Sequence, residues 1–145
     1  MSRFERNFRR VVWAGALYDL IVTAPFAFPV WVNWQIGFMT DLHNRFGFAG
    51  SIPHFEPTHF FFVNLFGSVV MVWSALRLVR PEPFFGLFDG CGRAAFSGWM
   101  LYYLLVWQIT SLIVVFLIPE ALWGVAQLGG YWFYKKSILS GKAES

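Results

Sequence analysis

The chain has 145 residues, of which 57% are hydrophobic, 21% aromatic and 13% charged, where an ordinary soluble domain carries roughly a quarter charged residues. Disorder, a collagen-like repeat and a disulfide scaffold are excluded by that balance and by the lone Cys91, which leaves a membrane protein. At about 20 residues per spanning helix, the length allows four spans and one sizeable connection, read as a single membrane domain over residues 1–145. The formal charge of +3 sits at segment ends, where bilayer orientation accounts for it, so no nucleic acid is expected as a partner.

The first span is predicted over 11–28, VVWAGALYDLIVTAPFAF, behind a basic head with Arg3, Arg6, Arg9 and Arg10. A cleaved secretory signal shares that head but has a shorter apolar run and a small-residue cleavage site, so this segment is expected to be retained. Pro25 and Pro29 should kink or end the helix, because proline removes a backbone donor. The connection that follows mixes Trp31, Trp34, Phe38 and Leu42 with Asn33, Gln35, Asp41 and His43. Too polar to span and too apolar for open water, residues 30–46 read as an amphipathic helix at the membrane interface. Gly47, Gly50, Ser51 and Pro53 then make a turn.

A second span is predicted over 59–78, after the start signals Pro57 and Thr58 and closed by Arg77 and Arg80. The link PEPFFGLFDGCG, with its prolines and glycines, reads as a loop. The third span is placed over 94–118, Pro119 and Glu120 form a tight turn, and a short fourth span covers 121–134. The expected fold is therefore an all-α integral membrane protein, a four-transmembrane-helix bundle with an interfacial segment between its first two helices. A β-barrel is excluded, since its strands alternate apolar and polar residues. Ten of the eleven Lys and Arg lie in the head, the 77–93 region and the tail (including Lys135, Lys136 and Lys142), and only Arg45 lies in the long connection. That asymmetry predicts cytoplasmic N and C termini, in a membrane of the bacterial inner type.

Asp19 is the leading candidate for chemistry, because a carboxylate mid-span costs about 2.5–3.5 kcal/mol to insert unless it is paired, protonated or wetted. Gly15, Asp19 and Thr23 follow one another at four-residue spacing, a narrow face that lets a neighbouring helix come close. Asn64 and Ser68 in the second span, Gln108 and Ser111 in the third, and Glu120 and Gln127 in the fourth can share its depth. A polar-centred cavity follows as an expectation, with Asp19, Thr23, Asn64, Gln108 and Gln127 as ligand-binding residues. Ordinary interhelical hydrogen bonding, worth about 0.6 kcal/mol per contact, is the competing account. Phe60, Phe61, Phe62, Trp31 and Trp34 are placed to line a mouth for a flat apolar ligand.

His54, Glu56 and His59 are metal-ligating types in one short segment. Their spacing, H-x-E-x-x-H, is not the helical H-E-x-x-H of zinc proteases, and Pro53 and Pro57 interrupt it. His59 and Glu56 equally suit a helix start, and neither metal nor haem is an expected cofactor. Phosphate-binding glycine loops, a G-x-S-x-G elbow and dinucleotide fingerprints are missing from the sequence, which argues against soluble-type catalysis.

The segments ALYDLIVTAPFAFP, HFEPTHFFFVNLFGS and PEALWGVAQL, with four short spans, resemble small bacterial membrane proteins of the DoxX-like and BphX-like group over nearly the whole chain. That resemblance implies a four-helix bundle and partnership with a redox enzyme such as a thiosulfate to quinone oxidoreductase. Through the more distantly similar EXPERA proteins it also implies sterol or lipid binding. The expected function is an accessory subunit of a larger membrane complex or homo-oligomer, or a binder of a quinone or lipid in a cavity centred on Asp19. A membrane enzyme or redox subunit acting on a lipid-soluble substrate, and a proton-linked transport subunit, are the alternatives.

Overall fold

The computed structural model describes residues 3–143, and of residues 141–143 the backbone alone; the Lys142 side chain counted above lies outside the description. Five helices account for the fold: α1 (Arg3–Ala27), α2 (Pro29–Phe46), α3 (Pro57–Val79), α4 (Pro83–Val106) and α5 (Val114–Ala143), with a 3₁₀ turn at Ser111–Ile113. Among the described residues there are no strands, only an isolated bridge between Ser51 and Ile109.

Prolines set three of these starts. Pro29, Pro57 and Pro83 each stand in the first turn of a helix, where the missing N–H has no partner to lose and φ is already helical. Gly47 closes α2 in the left-handed region at φ 63°, and its N–H reaches the His43 carbonyl. The helix expected over 30–46 is α2, and its exposed side carries Val30, Trp31 and a Trp34–Phe38 stack at 5.7 Å.

The second half of the chain departs from expectation. The link around Asp89 is helical, being the first half of α4. The apolar run 94–118 is not one span: α4 ends at Val106, Gln108 turns left-handed at φ 49°, and α5 begins at Val114 and continues through Pro119. Tertiary bonds hold that break, with Thr110 N–H donating to the Ser51 carbonyl and Ser111 N–H to Ala49. His43 Nδ1 also meets Thr110 Oγ1 at 2.7 Å. Three helical stretches, Arg3–Ala27, Pro57–Val79 and Ser111–Ser140, are long and apolar enough to cross a membrane, rather than the four expected. Asp89 and Arg93 separate α4 from them. At about 2.5–3.5 kcal/mol each, two mid-helix charges outweigh several residues of the Leu type, worth about 0.3–0.6 kcal/mol apiece.

Contacts fix the topology. Gly67 of α3 lies against Ala27 while Arg77 reaches Asp19, so α1 and α3 are antiparallel. Phe8 meets Tyr131 and Gly15 meets Gln127, so α5 also runs against α1, whereas Gly86 on Val12 and Arg93 on Asp19 make α4 parallel to it. The start of α1, the α3–α4 link and the end of α5 therefore share one end of the bundle.

The interior is polar and the outside apolar. Buried apolar side chains are Phe8, Val12, Ala16, Val32 and Leu112, whereas Asp19, Ser74, Arg77, Asp89, Arg93, Thr110 and Gln127 are buried polar groups. Phe, Trp, Leu and Val side chains along α1, α3, α4 and α5 point outward. A soluble fold reverses this order. It suits a bundle whose surroundings are hydrocarbon, where helices meet through small residues and polar contacts.

Candidate functional site

Two aspartates, two arginines and a glutamate from four helices converge in the bundle. On α1, the buried positions Phe8, Val12, Gly15, Ala16 and Asp19 repeat at helical spacing, so Asp19 projects to the interior one turn beyond Gly15. Gly15 lets Gln127 come close: a Cβ there would lie 2.7 Å from Gln127 Nε2, so the amide would have to shift.

Asp19 takes donors from both arginines. Arg77 Nη2 donates to Asp19 Oδ2 at 2.6 Å, and Arg93 Nη2 approaches both carboxylate oxygens at 2.6 Å. Arg77 comes from the last turn of α3 and folds inward, also reaching Ser74 Oγ at 3.2 Å and packing its guanidinium over Trp73 at 5.5 Å. Arg77 and Gln127 are fully buried.

Asp89 and Arg93 are one turn apart on α4, with Arg93 Nε donating to Asp89 Oδ2 at 3.2 Å. Asp89 Oδ2 also meets Arg77 Nη1 and accepts from Gln127 Nε2 at 2.6 Å, while Oδ1 accepts from Trp73 Nε1 at 2.9 Å. Arg93 Nη1 donates to Glu120 Oε1 at 2.9 Å, and its guanidinium lies over Trp123 at 5.9 Å. Three carboxylates thus face two guanidinium groups, a formal excess of one negative charge. Glu120 Oε2, Gln127 Oε1 and Arg77 Nε are buried without a hydrogen-bond partner.

Of the residues expected to bind a ligand, Asp19 and Gln127 belong to this cluster, and Thr23 is half-buried a turn further along α1. Asn64 lies toward the opposite end, donating to the Phe26 carbonyl at 2.9 Å, and Ser68 bonds its own helix at the Asn64 carbonyl. Gln108 is not in a span at all, but exposed in the break after α4. The expected cavity around Asp19 is filled by guanidinium groups. Two grooves lie elsewhere: one of about 470 Å³ between Pro29, Asn33, Pro57, Phe60, Phe61 and Asn64, and one of about 270 Å³ near Arg9, Glu82, Tyr131 and Tyr134.

His59 Nδ1 accepts from the Glu56 N–H at 3.0 Å at the start of α3, a capping interaction, and His54 is exposed. Among the described residues no group of three His, Cys, Asp or Glu is arranged to hold a metal ion. In the sequence Arg77 and Arg93 stand as flanking positive charges and Asp89 falls in a segment with the composition of a loop, so none of the three, taken singly, points to a buried cluster. The signal for them was the Asp89/Arg93 spacing of four, which marks an intrahelical ion pair. No protein-family model matches the chain, and no curated protein or solved structure is significantly similar to it.

Proposed function

We propose that the chain is a small integral membrane protein, of the bacterial inner-membrane type with cytoplasmic termini, acting as a proton-linked transport subunit. The observation that carries this reading is the unbalanced cluster: two buried acids, Asp19 and Asp89, and the half-buried Glu120 against two buried arginines, drawn from α1, α3, α4 and α5. Ionisable groups inside a bundle mark proton or ion pathways, and an odd charge in a low-dielectric interior favours uptake of one proton. In proteoliposomes given an acid jump outside, the protein should speed the internal pH change over empty vesicles, and Asp19→Asn should remove the gain. Equal rates for protein and empty vesicles overturn this reading.

A second reading keeps the quinone or lipid ligand, and the resemblance to DoxX-like proteins, but moves the site. The groove between α2 and α3 has apolar walls from Phe60, Phe61, Pro29 and Pro57 and two amides, Asn33 and Asn64, the composition of a site for an apolar ring or chain with a hydrogen-bonding head. Native mass spectrometry should then find a bound apolar molecule that Asn64→Ala releases and Asp19→Asn retains. Docking into a larger complex or a homo-oligomer would use the exposed aromatic surface of the same region.

A further inference from the structure

The five charged groups are not equivalent, and we propose that the exchangeable proton binds at Glu120 Oε2, a buried carboxylate oxygen without a hydrogen-bond partner. This assignment rests on the proton-linked reading above. Asp19, Asp89, Arg77 and Arg93 are two acids and two bases, balanced in charge and bonded to one another across three helices. Glu120 is the member left over.

Hydrogen-bond supply points the same way. Asp89 accepts from Trp73, Arg93 and Gln127 and faces Arg77 Nη1, and Asp19 accepts from both arginines. Protonating either would cancel ionic bonds already made. Glu120 accepts one bond, from Arg93 Nη1 on Oε1, and its Oε2 is buried with none. A proton from the aqueous phase added to Oε2 converts the carboxylate to a carboxylic acid and leaves the Arg93 bond on Oε1 in place. Donors to the charged form are what hold a carboxylate ionised, and Glu120 has the fewest.

The neighbours that bear on Glu120 are named by helix: Arg93 and Asp89 on α4, Asp19 and Tyr18 on α1, and, across Asp19, Arg77 on α3. Two of these acids repel a negative Glu120 and one arginine attracts it directly.

Infrared spectroscopy of the purified protein in nanodiscs, scanned over pH, tests the assignment through the protonated-carboxyl C=O band. A single titrating band is expected, lost in Glu120→Gln, moved in frequency in Glu120→Asp and retained in Asp89→Asn. A band that survives Glu120→Gln, or that sodium ions at fixed pH abolish, overturns the proposal. The conservative Glu120→Asp keeps the test valid should the amide variant misfold. The two readings separate cleanly. A Glu120 band without any proteoliposome proton flux would keep this site and remove the transport role. Flux with an unchanged band in Glu120→Gln would do the reverse.

Discussion

Asp19 and Arg77, 58 positions apart, meet in a buried ion pair in which Arg77 Nη2 lies 2.6 Å from Asp19 Oδ2. The pair joins α1 to the last turn of α3 and is shared with Arg93. Removing one partner strands the other charge in the interior, which costs about 3–5 kcal/mol. Arg77→Met should therefore lower the unfolding free energy in mild detergent by about that amount. Adding Asp19→Asn should cost less than the sum of the two single changes, with a coupling energy of about 0.5–3 kcal/mol. Strict additivity would show that Asp19 relies on Arg93 alone.

The crossing of α1 and α3 depends on Gly67. A Cβ at this position would sit 2.8 Å from backbone atoms of Ala27 and Phe26, which cannot rotate away. Gly67→Ala should force the helices apart and destabilise the protein by about 1–3 kcal/mol. Gly98 on α4 has open space around it, so Gly98→Ala should be neutral or stabilising by about 0.5–1 kcal/mol, the ordinary preference for Ala in a helix. Thermal unfolding of the two variants side by side checks both.

Much of the first half of the fold was legible in the sequence because prolines and Gly47 mark its boundaries locally: α2 and the start of α3 fall where those residues put them. Asp19 was legible for a similar reason, a charge in the middle of an apolar run long enough to cross a membrane. The second half was obscured by tertiary effects. Prolines and glycines make 81–92 read as a loop, but the segment is helical from Pro83, with the charges of Asp89 and Arg93 answered by Asp19, Arg77 and Glu120 from other helices. The break at 107–110 contains neither Gly nor Pro. It is imposed by the 49–51 segment, whose bonds to Thr110 and Ser111 no local pattern announces.

The junction between the 49–51 segment and the break after α4 makes a prediction of its own. Gln108 is the one non-glycine at positive φ among the described residues, and opposite it Gly50 stands at φ 81° with Cβ space 2.5 Å from the Gln108 and Ile109 carbonyl oxygens. Left-handed backbone costs an ordinary residue about 1–2 kcal/mol. Gly50→Ala should destabilise the protein by at least that amount, while Gln108→Gly should be neutral or stabilising. A large loss in Gln108→Gly, read by thermal unfolding, would mean that the Gln108 side chain contributes more than its backbone strain costs.

The orientation proposal has to be tested away from Cys91. Being buried among acids, Arg77 and Arg93 no longer count toward a cytoplasmic flank, and of that region only Arg80 remains exposed. Cys91 itself is exposed on the side of α4, about 12 Å of helix from its start at Pro83. Under the proposed membrane arrangement that side faces lipid, so a membrane-impermeant maleimide should label wild type poorly from either side. In a Cys91→Ser background, Glu82→Cys at the α3–α4 link should react only once the membrane is opened, and Asn44→Cys on α2 should react in intact cells. The reverse pattern would invert the topology, because the link and the end of α2 stand at opposite ends of the bundle. Labelling of both from outside would mean that α3 does not cross, and with it the buried Arg77 would lose the low-dielectric surroundings on which the proton-linked reading depends.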